Sequence, residues 1–237
     1  MQLFYTPFLQ ETDTTFTFSK EESRHIVKVL RKKEGDIIYS TAGNGNLYTL
    51  VVHRSNPSKC NVLIKEIERQ PLPAYQLHMA VAPTKRNDRY EWFLEKATEI
   101  GVTAITPIIC DYSERKVIKP ERFERIIQSA MKQSLQCYLP VLHPAITFNE
   151  FINSTDTYIG DKFIAHCEDA VKSNLADLYK KKDDSIILIG PEGDFSLSEI
   201  ELALSIGFKA ITLGSTRLRT ETAAIAAVHS ISFLNQK

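Results

Sequence analysis

The chain has 237 residues, with 29 Lys+Arg against 29 Asp+Glu for a formal net charge of zero, 43% hydrophobic residues and 24% charged. This is ordinary globular composition, long enough for one large domain or two smaller ones, and it excludes the disordered, collagen-like and membrane-embedded classes. No apolar run approaches the ~20 residues of a bilayer span, and Met1 to Pro7 lacks the basic and apolar regions of a signal peptide, so a cytoplasmic protein is expected.

The first seventy residues read as mainly β. Asp36–Thr41, Leu47–His53 and Cys60–Ile67 are short runs rich in β-branched and aromatic residues, separated by Gly43-Asn-Gly45 and Asn56-Pro-Ser58. One helix, Ser23–Lys33, interrupts them, and such a unit predicts a small closed barrel. Gln70-Pro-Leu-Pro73 puts two prolines in four residues where the texture changes, which sets the domain boundary there.

Beyond it, strands and helices alternate. Leu77–Ala82, Ala104–Cys110, Phe163–Cys167, Ser185–Ile189 and Ala210–Leu213 read as strands. Arg89–Ile100, Pro120–Gln136, Ser173–Lys180, Leu197–Ser205 and Glu221–Leu234 read as helices. Short apolar strands between amphipathic helices predict a parallel sheet covered on both faces. Ligands of such sheets bind at the loops leaving the carboxyl ends of the strands. Cys60, Cys110, Cys137 and Cys167 form no C-x-x-C pair, and none of the six histidines stands at ligand spacing. Reduced, mostly buried thiols and no metal are therefore expected.

Three loops carry the chemistry. Ile189-Gly-Pro-Glu-Gly-Asp-Phe-Ser196 leaves a buried strand and enters a helix announced by a capping box, Ser196 with Glu199. It has neither the phosphate-loop nor the dinucleotide fingerprint, which argues against a dehydrogenase, and it holds no cation. Glycines that admit a close backbone approach, beside Glu192 and Asp194, suit an uncharged or cationic ligand without phosphates. On spacing alone the loop is equally a tight strand–helix turn. Leu213-Gly-Ser-Thr-Arg-Leu-Arg-Thr-Glu-Thr-Ala-Ala224 again joins strand to helix, with Thr220 as N-cap and two arginines beside Glu221. Taken alone it reads as a solvated helix start. The third loop is His166-Cys-Glu168, whose histidine by itself reads as structural.

The combination G-P-E-G-D-F-S-x-x-E, followed some twenty residues later by L-G-x-x-x-L-R-x-E-T-A, resembles the SPOUT methyltransferases. More narrowly, it resembles the RsmE family, the 16S ribosomal RNA uracil-N3 methyltransferases. Arg24-His25, Val29-Leu-Arg-Lys32 and Gly35-Asp36 match the family's opening. Lys85, Arg89, Glu91, Glu95–Val102, Glu114-Arg115 and Gln133 match its middle. Two departures stand out: Asp194 replaces the last glycine of G-P-E-G-G, and Gln133-Ser-Leu-Gln136 lacks the arginine of the family's central helix.

The resemblance implies an α/β protein with a PUA-like RNA-binding β-barrel over residues 1–70. It implies a SPOUT domain over 74–237 whose last segment forms a trefoil knot, and a homodimer. It implies S-adenosyl-L-methionine held by His166, Ile189, Gly190, Pro191, Glu192, Gly193, Leu213, Gly214, Leu218, Arg219, Thr220, Thr222 and Ala223. The candidates for chemistry are Arg217, Arg219, Glu221 and Glu192, with carboxylates as base or arginines as stabilisers of the uracil anion. Competing readings are a related RNA methyltransferase acting on a ribose oxygen or a tRNA base, or an inactive ribosomal RNA-binding assembly protein.

The zero net charge dissolves when resolved by position. Residues 20–33 and 115–132 each hold six basic and two acidic residues, whereas 151–237 carry a net charge of −3. Isolated runs of this kind are usually solvated helix faces, but one cluster per domain suits an RNA backbone. Arg24, Lys28, Arg31, Lys32, Lys85, Arg89, Arg115 and Lys116 are the candidate contacts to 16S ribosomal RNA or the small ribosomal subunit.

Overall fold

The computed structural model describes residues 1–236. It is a mixed α/β fold that divides into two compact units, one of residues 1–72 and 131–139, the other of 73–130 and 140–237.

The first unit contains β1 (Leu3–Tyr5), β2 (Thr15–Thr17), α1 (Lys20–Arg24), β3 (Ile37–Thr41), β4 (Asn46–Arg54) and β5 (Asn61–Arg69). Its sheet runs β1-β3-β4-β5-β2, with β1 parallel to β3 and the other pairs antiparallel. β4 alternates buried and half-buried positions as one inward face requires. Phe4, Phe18, Ile26, Ile38, Tyr48, Leu50 and Val62 form the core of this unit. The helix expected over Ser23–Lys33 is shorter and differently wound: α1 passes into one π-helical turn, His25–Val29, and Arg31 with φ +55° ends it. Ser23 explains the fixed entry, since its buried hydroxyl donates to Phe18 O and accepts the Cys60 N–H. Residues 137–139 are stitched to this unit through Gly45 N to Cys137 O, Leu139 N to Gly43 O, and Cys137 N to the Gln70 side chain. Gly45, at φ +97°, leaves no room for a Cβ, because the Tyr138 ring occupies that space.

The second unit contains β6 (Leu77–Val81), α2 (Asn87–Ile100), β7 (Ala104–Ile109), α3 (Pro120–Gln133), β8 (Val141–Leu142), β9 (Ile146–Thr147), α4 (Phe148–Ser154), β10 (Asp161–Ala165), β11 (Ser173–Asn174), α5 (Leu175–Leu178), β12 (Ser185–Ile189), α6 (Leu197–Ser205), β13 (Lys209–Thr212) and α7 (Thr220–Gln236). α3 crosses the unit division after Ala130 and stops three residues short of the expected Gln136, before Leu135 turns left-handed. Residues expected to open a helix at Ser173 pair instead as β11, so that only α5 is helical there.

The sheet order is β11-β13-β10-β12-β6-β7-β8, with β9 also on β7, and every pairing is parallel. β12 is buried at all five positions, as a central strand covered on both faces must be. α7 packs against α2, β6 and β12. The core gathers Ile108, Phe148, Phe151, Ile164, Leu188, Phe195 and Phe208. The Ser196–Glu199 capping box forms, with Glu199 N donating to Ser196 Oγ and Ser196 N to Glu199 Oε2. Among the described residues, no helix is long and apolar enough to cross a membrane.

One half-buried histidine makes the stability of this unit depend on pH. His78 on β6 shares a hydrogen bond with Thr106 Oγ1 (2.7 Å) and lies 5.2 Å from the His143 ring. Burial, reinforced by His143, pushes its imidazole down to about 4. The unfolded chain takes up that proton near ~6.5. The stabilisation is therefore complete above ~6.5 and is lost as the pH falls from there toward 4. At ~1.4 kcal/mol per unit the loss is on the order of 3 kcal/mol. Denaturant titrations at pH 7 and 4.5 check this: His78→Gln should flatten the pH dependence relative to the parent, and an equal slope in both would assign it to other groups.

Candidate functional site

β13, β10 and β12 lie side by side, and the register sets Ala165 beside Ile189 on one flank and beside Ile211 on the other. Their carboxyl ends therefore open on one edge. The chain goes from β10 to β12, then crosses back to place β13 on the far flank of β10. This reversal is the switch point at which open α/β sheets hold ligands. Two cavities occur there, of about 390 and about 350 Å³, sharing Ala165, Cys167, Arg217, Leu218 and Ala223 in their walls.

The larger cavity takes Ile189, Gly190, Pro191 and Glu192 from one loop and Arg219 and Thr220 from another, with Asp194 and Arg89 completing it. The smaller takes His166, Leu213 and Gly214. Of the residues expected to hold a cofactor, Gly193 and Thr222 line neither. Gly193 is instead packed so that a Cβ would stand 3.0 Å from Tyr112 Cβ, and Thr222 points outward from the first turn of α7. At Gly190 a Cβ would meet the Phe195 ring at 3.1 Å, so the absence of a side chain lets this loop fold back over its own core residue.

The carboxylates hold loops. Glu192 Oε1 accepts the Lys85 N–H (2.9 Å), and Arg115 donates to Thr84 O and Lys85 O, so Glu192 and Arg115 grip the same turn after β6. Asp194 adopts φ +68°; its Oδ2 accepts the Cys167 N–H (2.6 Å) and its Oδ1 the Phe195 N–H (2.9 Å). Glu221 is buried and lines neither cavity; its Oε1 lies 3.6 Å from Arg89 Nε, and its Oε2 has no hydrogen-bond partner. The Arg217 and Arg219 side chains are exposed and, among the described residues, make no hydrogen bond or ion pair, while the Arg219 carbonyl accepts the Ala223 N–H.

His166 is 8% exposed, and both ring nitrogens lack a partner. Burial, with Lys172 nearby, lowers its affinity for a proton, so it presents a neutral imidazole to the smaller cavity. Among the described residues, no group of three or more His, Cys, Asp or Glu is arranged to hold a metal ion.

The basic candidates separate. Arg24, Lys28 and Arg31 are exposed and Lys32 half-buried on the first unit. Lys85 pairs with Glu114 at 2.8 Å with both side chains largely in solvent, Arg115 is committed to the turn after β6, and Arg89 belongs to the cavity wall. Lys116 lines a separate cavity of about 440 Å³ beside Cys110, Asp111 and Glu199. Sequence reasoning did not assign a role to Cys167 or Lys172, and it read Asp194 as loop charge and as a departure from the family pattern, not as a tie between two loops.

Comparison with known proteins bears on this edge of the sheet and on the first unit. Residues 70–232 match the family model described as an RNA methyltransferase domain, and residues 18–65 match one described as an RNA methyltransferase PUA domain. The ribosomal RNA small subunit methyltransferase E of Buchnera aphidicola subsp. Acyrthosiphon pisum is 30% identical over 91% of this chain and 87% of its own. The crystal structure of a probable rRNA-methyltransferase from Porphyromonas gingivalis is 38% identical, with a TM-score of 0.92, covering 100% of this chain and 99% of that one. That of a ribosomal RNA small subunit methyltransferase E from Neisseria gonorrhoeae, bound to S-adenosyl methionine, is 28% identical with a TM-score of 0.84, covering 99% and 98%.

Proposed function

This chain belongs to the RNA methyltransferase family that includes the small-subunit ribosomal enzymes of type E, and from that premise we propose that it methylates N3 of a specific uridine in 16S ribosomal RNA. It is an S-adenosylmethionine-dependent methyltransferase. The observation that carries the reading is the meeting of three loops at the switch point, around cavities whose walls suit this cofactor. Glu192 and Asp194 offer negative charge to a sulfonium, Leu213, Leu218 and Ala223 offer apolar surface to an adenine, and the loops lack a phosphate cradle. The neutral His166, with two unpartnered nitrogens, adds hydrogen-bonding capacity at the same wall.

When bound, the cofactor supplies a methyl group on a cationic sulfur, which departs as a neutral thioether. The chain's own residues must bring uracil N3 into line with that methyl and deal with the N3 proton. That proton is weakly acidic, with a pKa of roughly 9–10, in the range of a phenol. Near-attack positioning is the larger contribution, up to about 7–11 kcal/mol in ideal cases. Arg217 and Arg219, unpaired and on the cavity wall, stabilise charge spreading onto the uracil carbonyl oxygens. Glu192, also on that wall, takes the proton in this reading through the oxygen that does not hold Lys85 N–H, while Glu221 acts through Arg89.

The boundary near residues 70–73 divides an RNA-binding PUA-like barrel built on residues 1–70, which residues 131–139 rejoin, from the catalytic SPOUT domain drawn from residues 74–237. The crossing of β13 to the far flank of β10 supports a trefoil knot through which α7 is threaded. The protein works in the cytoplasm as a homodimer; light scattering should give twice 26.9 kDa, and a monomeric mass would refute the dimer.

The two basic clusters contact RNA phosphates. With about four to six phosphates neutralised, log K should fall with log salt at a slope of roughly −3 to −4 for single-stranded RNA. An affinity independent of salt removes the clusters from binding. The decisive experiment is nucleoside mass spectrometry of 16S ribosomal RNA from a strain lacking this gene. Loss of 3-methyluridine, restored by the gene, is expected; its persistence, or loss of a ribose-methylated or tRNA nucleoside instead, overturns the assignment.

A further inference from the structure

Resting on the assignment of S-adenosylmethionine to the switch-point cavities, we propose that Asp194 and Lys172 are a positioning pair that fixes the His166–Glu168 loop as a wall of the cofactor site. Asp194 stands where the related motif carries glycine, and its backbone has the left-handed φ of +68° that glycine adopts without strain. Aspartate tolerates this region better than most residues, at a modest cost. What it gains here is a carboxylate that bridges two loops. Oδ1 closes on Phe195 N–H within its own loop after β12, and Oδ2 accepts the Cys167 N–H across from the loop after β10, at 2.6 Å. A glycine could supply neither bond.

Lys172 holds the same short loop by its carbonyls. Its Nζ donates to His166 O (3.0 Å) and to Glu168 O (2.8 Å). The loop is thus held by an anion at the Cys167 N–H and by a cation at two C=O groups, and hydrogen bonds to charged groups are the stronger kind. Cys167 and Glu168 are exposed, so without these ties their backbone would be solvated and free to move. Cys167 lines both cavities, Asp194 the larger and Lys172 the smaller, so the loop's position sets the shape of both. The same anchors bracket His166, whose unpartnered imidazole reaches a ligand only while the loop stays in register.

The test is cofactor affinity by calorimetry together with hydrogen exchange at the Cys167 amide, on the full chain. One charge-assisted bond is worth about 1.5–3 kcal/mol, so Asp194→Gly should bind S-adenosylmethionine ~10–100-fold more weakly. The loss should fall on KM for the cofactor more than on kcat, and protection of the Cys167 amide should disappear. Thermal stability should fall by less than the lost bonds alone would dictate, since glycine relieves the left-handed backbone. Asp194→Asn keeps an oxygen acceptor and should recover most of the affinity, whereas Lys172→Met should weaken binding severalfold. An Asp194→Gly affinity within twofold of the parent, or an unchanged Cys167 exchange rate, overturns the proposal. If the parent protein itself binds no S-adenosylmethionine, the assignment of the cavities fails, and this proposal fails with it.

Discussion

Arg219→Ala is expected to lower kcat for ribosomal RNA methylation by about 10²–10³, the range seen when one preorganised donor to a developing anion is removed. The Arg219 side chain is exposed and without a partner among the described residues, so its removal should leave stability within about 0.5 kcal/mol. A rate loss without a stability loss places the side chain in the reaction rather than in the fold. The pH dependence sharpens this. If the guanidinium stabilises uracil deprotonated at N3, the variant should regain rate as the pH rises toward ~9–10, because solvent then supplies the anion. Arg217→Ala, on the same wall, separates the two arginines: the one whose loss shows the steeper recovery faces the uracil carbonyls. Full turnover by Arg219→Ala at saturating cofactor and RNA would remove it from the chemistry.

The elements that could be read from sequence were those whose signal is local. The run Ser185–Ile189 is apolar throughout because a central parallel strand is covered on both faces, and Ser196 with Glu199 announces a helix start through two reciprocal hydrogen bonds. β1 and β2, three residues each, are too short to display alternation, and they exist through their pairing with β3 and β5. α4 carried a readable capping box, Thr147 with Glu150, and went unnoticed because its seven residues give no periodicity. The attachment of residues 137–139 to the first unit depends on contacts with Gly43, Gly45 and Gln70, far away in sequence, and no local pattern encodes that.

The site divides in the same way. That the loops after β10, β12 and β13 are candidates for the ligand follows from the resemblance of their combined motifs, since strand-to-helix punctuation alone reads equally as tight turns. What each charged side chain does there does not follow, because it depends on partners many residues away. Arg115 looks like an RNA contact in a basic run, yet its guanidinium caps two carbonyls of the turn after β6. Glu192 looks like a free carboxylate, yet one of its oxygens holds Lys85 N–H. Charge at a loop can be read from sequence, but not whether the fold has already committed it.

Arg89 and Glu221 show that distinction at its largest expected effect on stability. Glu221 in the first turn of α7 gains from the helix dipole, but it is only 6% exposed and its Oε2 has no partner. Arg89, at 3.6 Å, is the cation that makes the buried charge tolerable. Arg89→Met should therefore destabilise the protein by about 2–3 kcal/mol, below the ~3–5 typical of a fully buried pair because the arginine is partly solvated. Glu221→Met should cost less, since the remaining guanidinium can turn to water. The double variant should recover most of the loss, giving a coupling energy of at least ~1.5 kcal/mol. Rate should behave differently. Arg89 lines the larger cavity, so the double variant should regain its fold while kcat stays low. If the stability losses simply add, the pair does not hold this helix; if the double variant regains full rate, Arg89 serves only the fold and Glu221 has no reach into the reaction.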